Sequence, residues 1–141
     1  MSPEQEALER RAVACEGWRW MAGMAVTDPT GVSGRIEAVS CTGKSAWVVN
    51  ERGRAWICAP DMLAFNPDLS DPATLGCLLA LVRDAWDDPE IHVATLWSMK
   101  RRVGWRVWFG HDLTLFFDGG TEAEALVAAL EAAPVRTGGE R

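Results

Sequence analysis

The chain opens on Ser2-Pro3-Glu4-Gln5: an N-cap residue, a proline at the first helical position and a Gln three residues after the cap. This start predicts a helix from about Pro3 to Cys15 that stops near Gly17. Its apolar stripe is thin, with Leu8, Ala12 and Cys15 set among charges, which places the helix on the surface of the domain. From Gly17 to Ala59 the texture changes to short runs of Trp, Val and Ile between turn clusters, the pattern of strands. Trp18-Arg19-Trp20-Met21, Arg35 to Val39, Ala46 to Val49 and Arg54 to Cys58 read as strands. Thr27 to Gly31 reads as a turn, and Asn50-Glu51-Arg52-Gly53 as a four-residue hairpin loop.

Pro60 to Ser70 reads as an ordered loop held down by Met62-Leu63-Ala64-Phe65. Asp71-Pro72 then opens a helix whose Leu75, Leu78, Leu79, Val82 and Trp86 share one stripe, and Asp87-Asp88-Pro89 ends it. Three more strands are expected over Ile91 to Ser98, Gly104 to Phe109 and Asp112 to Phe117. The first two join across Met99-Lys100-Arg101-Arg102, and the second pair across a type II′ turn at Gly110-His111. Alternation places Trp105, Val107 and Phe109 on one face, with Arg106 and Trp108 on the other. Thr121 and Glu124 form a capping box for a last helix that runs to about Ala133 and is stopped by Pro134. The expectation is an α+β fold: one antiparallel sheet of about six to seven strands, with an N-terminal, a central and a C-terminal helix on one face. Residues 1–134 would form a single domain and 135–141 a flexible C-terminal tail.

Composition narrows the function classes. The 141 residues are 48% hydrophobic and 24% charged, enough for a packed core in one domain. Fourteen Lys plus Arg against twenty Asp plus Glu give a net charge of -6, which argues against broad binding of nucleic-acid backbones. No apolar run approaches the roughly 20 residues that span a bilayer, and the start has no secretory signature, so a cytoplasmic protein without membrane contact is expected. Cys15, Cys41, Cys58 and Cys77 show no C-x-x-C pair and no neighbouring His, so reduced, mostly buried thiols are expected and no metal.

Catalytic signatures are thin. Gly43-Lys44-Ser45 resembles the end of a phosphate loop, but Ala38 stands where the first Gly is needed and a strand follows where a helix is required. Neither His92 nor His111 has a local nucleophile and carboxylate arrangement. Asp84, Asp87, Asp88 and Glu90 read as a solvated helix end, and Gly119-Gly120 as an ordinary lead-in to a capped helix. A non-enzymatic protein without catalytic residues or cofactors follows.

The unusual feature is aromatic: eight Trp and no Tyr. One sheet covered by helices on one face buries about half of them. Trp and Arg are also the residues that dominate binding hot spots. Trp18, Trp20, Trp97, Lys100, Arg101, Arg102, Arg106 and Trp108 are therefore the candidate binding residues.

Three stretches, Gly17 to Met24, Pro67 to Arg83 and Thr121 to Leu130, resemble small uncharacterised accessory proteins encoded by phages and prophages of GC-rich bacteria. A further likeness is to anti-Thoeris phage proteins that sequester nucleotide signals; it rests on Glu16-Gly17-Trp18 and on Trp56 ahead of Asp61-Met62-Leu63-Ala64. The resemblance implies a phage-type binding protein that inhibits a host defence or transcription protein by stoichiometric occlusion. The alternatives are a sponge for a nucleotide second messenger, held between Trp faces and the Lys100 to Arg102 or Arg52 to Arg54 cations at a homo-oligomer interface, and a toxin-immunity protein.

Overall fold

The computed structural model describes residues 2–134, so the tail expected at 135–141 lies outside the described residues. The chain is α+β with antiparallel sheets, and its described residues form four helices and eight strands in two sheets, where one sheet and three helices were expected. It divides into two compact units. One comprises residues 1–14 and 18–78, the other 15–17 and 79–141.

In the first unit, helix α1 (Pro3–Ala14) starts where Ser2 caps it: the Gln5 N–H donates to the Ser2 hydroxyl at 3.1 Å. The helix is less superficial than its charges suggest, because Leu8, Glu9 and Ala12 are buried. Five strands follow in the order β4-β3-β2-β1-β5: β1 (Ala25–Thr27), β2 (Ser33–Val39), β3 (Ala46–Asn50), β4 (Gly53–Ile57) and β5 (Asn66–Pro67). The expected strand at Trp18 to Met21 is absent. The Trp20 N–H donates to the Gly43 carbonyl and the Met24 N–H to the Met21 carbonyl, so this segment bends instead of joining a ladder. The short β1 takes its place, with Asp28 turning the chain by accepting from the N–H groups of Thr30 and Val32.

The β3–β4 loop is tighter than four residues. Asn50 pairs with Gly53, leaving only Glu51 and Arg52 in the loop, and Gly53 takes the positive φ of 115° that a Cβ would oppose. Part of the Pro60 to Ser70 loop is ordered as helix α2 (Ala59–Met62) and as β5, where Pro67 sits on an edge strand. Met24, Val26, Ile36, Ala46, Val48 and Met62 are buried in this unit.

Helix α3 (Pro72–Trp86) begins in the first unit and continues into the second. Asp71 caps it by accepting from the Thr74 N–H at 3.0 Å, and also takes a bidentate pair from Arg35. Those hydrogen bonds, the Arg35 pair first, hold the Asp71 carboxyl at about 2.

The second unit holds a three-stranded sheet, β6 (His92–Ser98), β7 (Arg101–Trp108) and β8 (Phe116–Gly119), with α4 (Glu122–Glu131) packed on β8 and β7. The last strand starts later than Asp112. The Asp112 carboxylate accepts from the Thr114 N–H and hydroxyl, closing a local turn where the sequence suggested a two-residue hairpin at Gly110-His111. The capping box forms as expected: the Glu124 N–H donates to the Thr121 hydroxyl, and the Gly120 N–H donates to the Glu124 carboxylate. That bond satisfies an N–H of the glycine lead-in, in keeping with its ordinary reading. On the face toward α4, Val107 is buried and Trp86, Phe109 and Phe117 interlock, with Trp86 and Phe109 edge to face at 4.8 Å. The Trp86 indole donates to the Ala129 carbonyl, which satisfies its one polar atom.

The cysteines are free, but Cys41 and Cys58 are exposed and Cys15 and Cys77 half-buried, so the expectation of mostly buried thiols fails. Among the described residues no helix is long and apolar enough to cross a membrane.

Candidate interaction hairpin

The eight candidate residues are divided between the two units. Trp18 and Trp20 belong to the first unit, and the other six to the second. Trp20 is 3% exposed and packs edge to face on half-buried Trp18 at 5.3 Å, so Trp20 is a core residue and leaves the candidate set. An aromatic at the end of an alternating run reads equally as strand or core, and here the run is not a strand.

The six in the second unit lie on the β6–β7–β8 sheet and at its hairpin tip, and a β-bulge decides which face Arg102 takes. Leu96 pairs with Gly104, but Trp97 pairs with Arg102, so Val103 is an extra residue in β7. In an unbroken strand Arg102 would lie on the face opposite Trp105; the bulge turns it onto the Trp105 face, with its guanidinium 5.6 Å from the Trp105 ring. Trp97 lies on that same face, its indole N–H donating to the Thr95 hydroxyl at 2.8 Å. On the other face, Arg106 makes a bidentate pair with Asp118 at 2.6 and 2.8 Å and stacks 3.8 Å from the Phe116 ring and 5.1 Å from Trp108. Arg106 is thus committed to its own sheet, with the Asp118 carboxylate raising its pKa.

The tip is different. The sequence suggested a loop from Met99 to Arg102, but Ser98 pairs with Arg101, so the loop is only Met99-Lys100, and Arg101 and Arg102 extend the strand. A two-residue hairpin loop favours positive φ at both positions, and Met99 and Lys100 adopt φ of 51° and 68°. Asn and Gly are the residues that enter this region readily; Met and Lys do so at a cost of roughly 1 to 2 kcal/mol each. Backbone strain of this kind clusters where function holds it in place. Around the turn, Trp97 is 64% exposed, Met99 97% and Val103 58%. Lys100, Arg101 and Arg102 are exposed beside them and form no ion pair among the described residues. The hairpin therefore presents three exposed apolar side chains and three exposed cations without an ion pair among the described residues, on a chain of net charge -6.

A concavity of about 270 Å³ is lined by the apolar Trp86, Phe109 and Leu115 and by Asp87, Asp88, His111 and Asp112. The solvated-end reading of the acidic cluster fails for Asp88, which is buried and accepts from the N–H groups of Glu90, Gly110 and His111 and from the His111 ring at 2.9 Å. Burial pushes the Asp88 carboxyl up, but these hydrogen bonds, His111 first, outweigh it and hold it low. The same contact raises the His111 pKa. Asp88 thereby pins the Phe109-to-Asp112 loop. The carboxylates around this cleft repel a phosphate. Gly43-Lys44-Ser45 lies in the turn between β2 and β3, with no helix after it. Among the described residues no cluster of His, Cys, Asp and Glu is arranged to hold a metal.

The chain matches no protein-family model, no curated protein and no solved structure.

Proposed function

We propose that this chain is a non-enzymatic binding protein that occludes a partner protein stoichiometrically, with the β6–β7 hairpin as the docking element. The observation that carries this reading is the hairpin tip: exposed Trp97, Met99 and Val103 beside exposed Lys100, Arg101 and Arg102, on a strained two-residue turn. Apolar anchors supply affinity, and a local positive charge on an acidic molecule steers it toward an acidic groove while net repulsion rejects other acidic surfaces. The phage-type resemblance makes the partner a host defence or transcription protein. The nucleotide-sponge reading has less support. Arg54 is engaged with Glu37 at 2.9 Å and over Trp47 at 3.9 Å, and the 270 Å³ concavity is lined by carboxylates.

The test is an affinity capture from bacterial extract with the native chain and with a Trp97→Ala/Lys100→Glu/Arg102→Glu variant. One protein recovered in stoichiometric amount by the native chain and lost by the variant is expected. Equal recovery by both excludes the hairpin as the docking element.

A further inference from the structure

We infer that strand β4 is a self-association edge, through which a second copy of the chain pairs antiparallel about a two-fold axis at Ala55. β4 ends the five-stranded sheet, and Gly53, Arg54, Ala55 and Trp56 are all exposed, so among the described residues nothing covers it. In an antiparallel ladder alternate residues direct their N–H and C=O groups to opposite sides, so an edge strand leaves half of these groups facing outward. Proteins that keep such an edge solitary protect it with Pro, Lys, a bulge or extreme shortness. Of these devices β4 carries only one charged side chain, Arg54: it has no Pro or Lys, and its pairing with β3 runs without a bulge over all five residues. The opposite edge of the same sheet is protected, since β5 is two residues long and contains Pro67.

The occupant follows from the sequence of the strand. Pairing two β4 strands about Ala55 places Ala55 opposite its own copy, Arg54 opposite Trp56 of the second copy, and Gly53 opposite Ile57. Arg54 and Trp56 share one face of the sheet with Trp47 and Val49, their partners in β3. On that face Arg54 already lies over the Trp47 ring at 3.9 Å, and Trp47 and Trp56 are 5.4 Å apart. Arg54 also pairs with Glu37 of β2 at 2.9 Å, so its guanidinium is held over β3; across the axis the second copy's Trp56, 43% exposed in the single chain, would pack on the outer side of the Arg54 stem and extend that stack. Two such stem-to-ring contacts and a shared ladder then repeat on both sides of the axis, the self-complementarity that a two-fold interface requires. A register shifted by two residues sets Arg54 against Arg54, where like charges oppose each other, or Trp56 against Trp56, where Arg54 faces Cys58 and loses its aromatic neighbour; cross-linking at Ala55→Cys but not at Arg54→Cys separates these from the Ala55 axis.

Light scattering on a sizing column from micromolar to millimolar concentration reads the association directly. The native chain is expected to reach twice the 15.4 kDa of one chain. Trp56→Lys sets Lys against Arg54 and is expected to weaken the dimer at least about tenfold. Arg54→Glu combined with Trp56→Lys restores opposite charges across the axis and is expected to restore the dimer. A native chain that stays monomeric, a dimer indifferent to Trp56→Lys, or a double variant that stays monomeric overturns the inference. Register is tested independently of these variants, in a chain with Cys41 and Cys58 replaced by Ala. Directly opposed strand residues lie within disulfide reach, so Ala55→Cys is expected to cross-link under mild oxidation and Arg54→Cys to remain single. Equal cross-linking of the two contradicts the proposed axis.

Discussion

Glu9 is the residue whose replacement tests the packing of α1 most sharply. Its residue is 1% exposed, and both carboxylate oxygens lack a geometric hydrogen-bond partner. Burial, then the negative charge of Asp68, lift its pKa from 4.5 to about 7; Glu6 adds to the rise, while Gln5 and Arg10 oppose it. Arg10 itself is turned toward the loop after α2, where it donates to the carbonyls of Leu63 and Phe65. The folded chain therefore holds the Glu9 proton more tightly than the unfolded chain does. The stability linked to that proton is complete below pH 4.5 and is lost as the pH rises through 7. A shift of this size corresponds to about 3 kcal/mol for a fully shielded group, and to about 2 kcal/mol once partial screening by solvent is allowed. Glu9→Gln keeps the shape of the protonated side chain and removes the titration. At pH 8 the variant is expected to be more stable than the native chain by about 2 kcal/mol, a rise of roughly 1 M in the urea midpoint. At pH 4 the two should coincide. Urea unfolding followed by far-ultraviolet circular dichroism at the two pH values measures the difference. Because His111 and Asp88 titrate equally in both proteins, the comparison isolates Glu9. A variant that differs from the native chain by the same amount at pH 4 and pH 8 refutes the burial argument.

Other consequences follow from the second unit. Asp88→Ala removes the acceptor for the N–H groups of Glu90, Gly110 and His111; the melting temperature should fall, and hydrogen exchange at Gly110 and His111 should accelerate, while exchange in β2 and β3 stays unchanged. In the same protein the His111 pKa should drop toward its ordinary 6.5, read from the ring proton shifts. Met99→Asn/Lys100→Gly supplies the residues that a two-residue turn favours, and should raise stability by about 1 kcal/mol in thermal unfolding while weakening partner capture. A loss of stability would show that Met99 and Lys100 are not strained.

Much of the fold was legible in the sequence because local signals there are redundant. The caps at Ser2, Asp71 and Thr121 each place an oxygen where an N–H needs an acceptor, and three of the four helices begin at them. The β3–β4 and β6–β7 hairpins were readable from alternation. The division into two sheets was not, since alternation shows that a segment is a strand and is silent on its neighbours. β1 and β5 are too short to carry a period, and the Trp18-to-Met21 alternation was overridden by backbone bonds to Gly43 and within its own bend. Of the candidate site, Trp97, Lys100, Arg101 and Arg102 were named from residue type alone. Their grouping depends on the bulge at Val103, which no pattern in the sequence announces. Trp20 was misassigned because a large aromatic looks the same in a core and on a surface. Glu9 was overlooked because a charge on a thin amphipathic helix ordinarily faces water.

The most direct test of the occlusion reading is native mass spectrometry of the chain purified from bacterial extract. The expected spectrum shows one partner protein of different mass for each 15.4 kDa chain, on the single chain or on its two-fold dimer, and that adduct falls away when Trp97 is replaced by Ala, a change of roughly thirtyfold in affinity for a buried aromatic anchor. A spectrum in which the chain carries only a nucleotide-sized mass, or in which Trp97→Ala leaves the protein adduct undiminished, would contradict it.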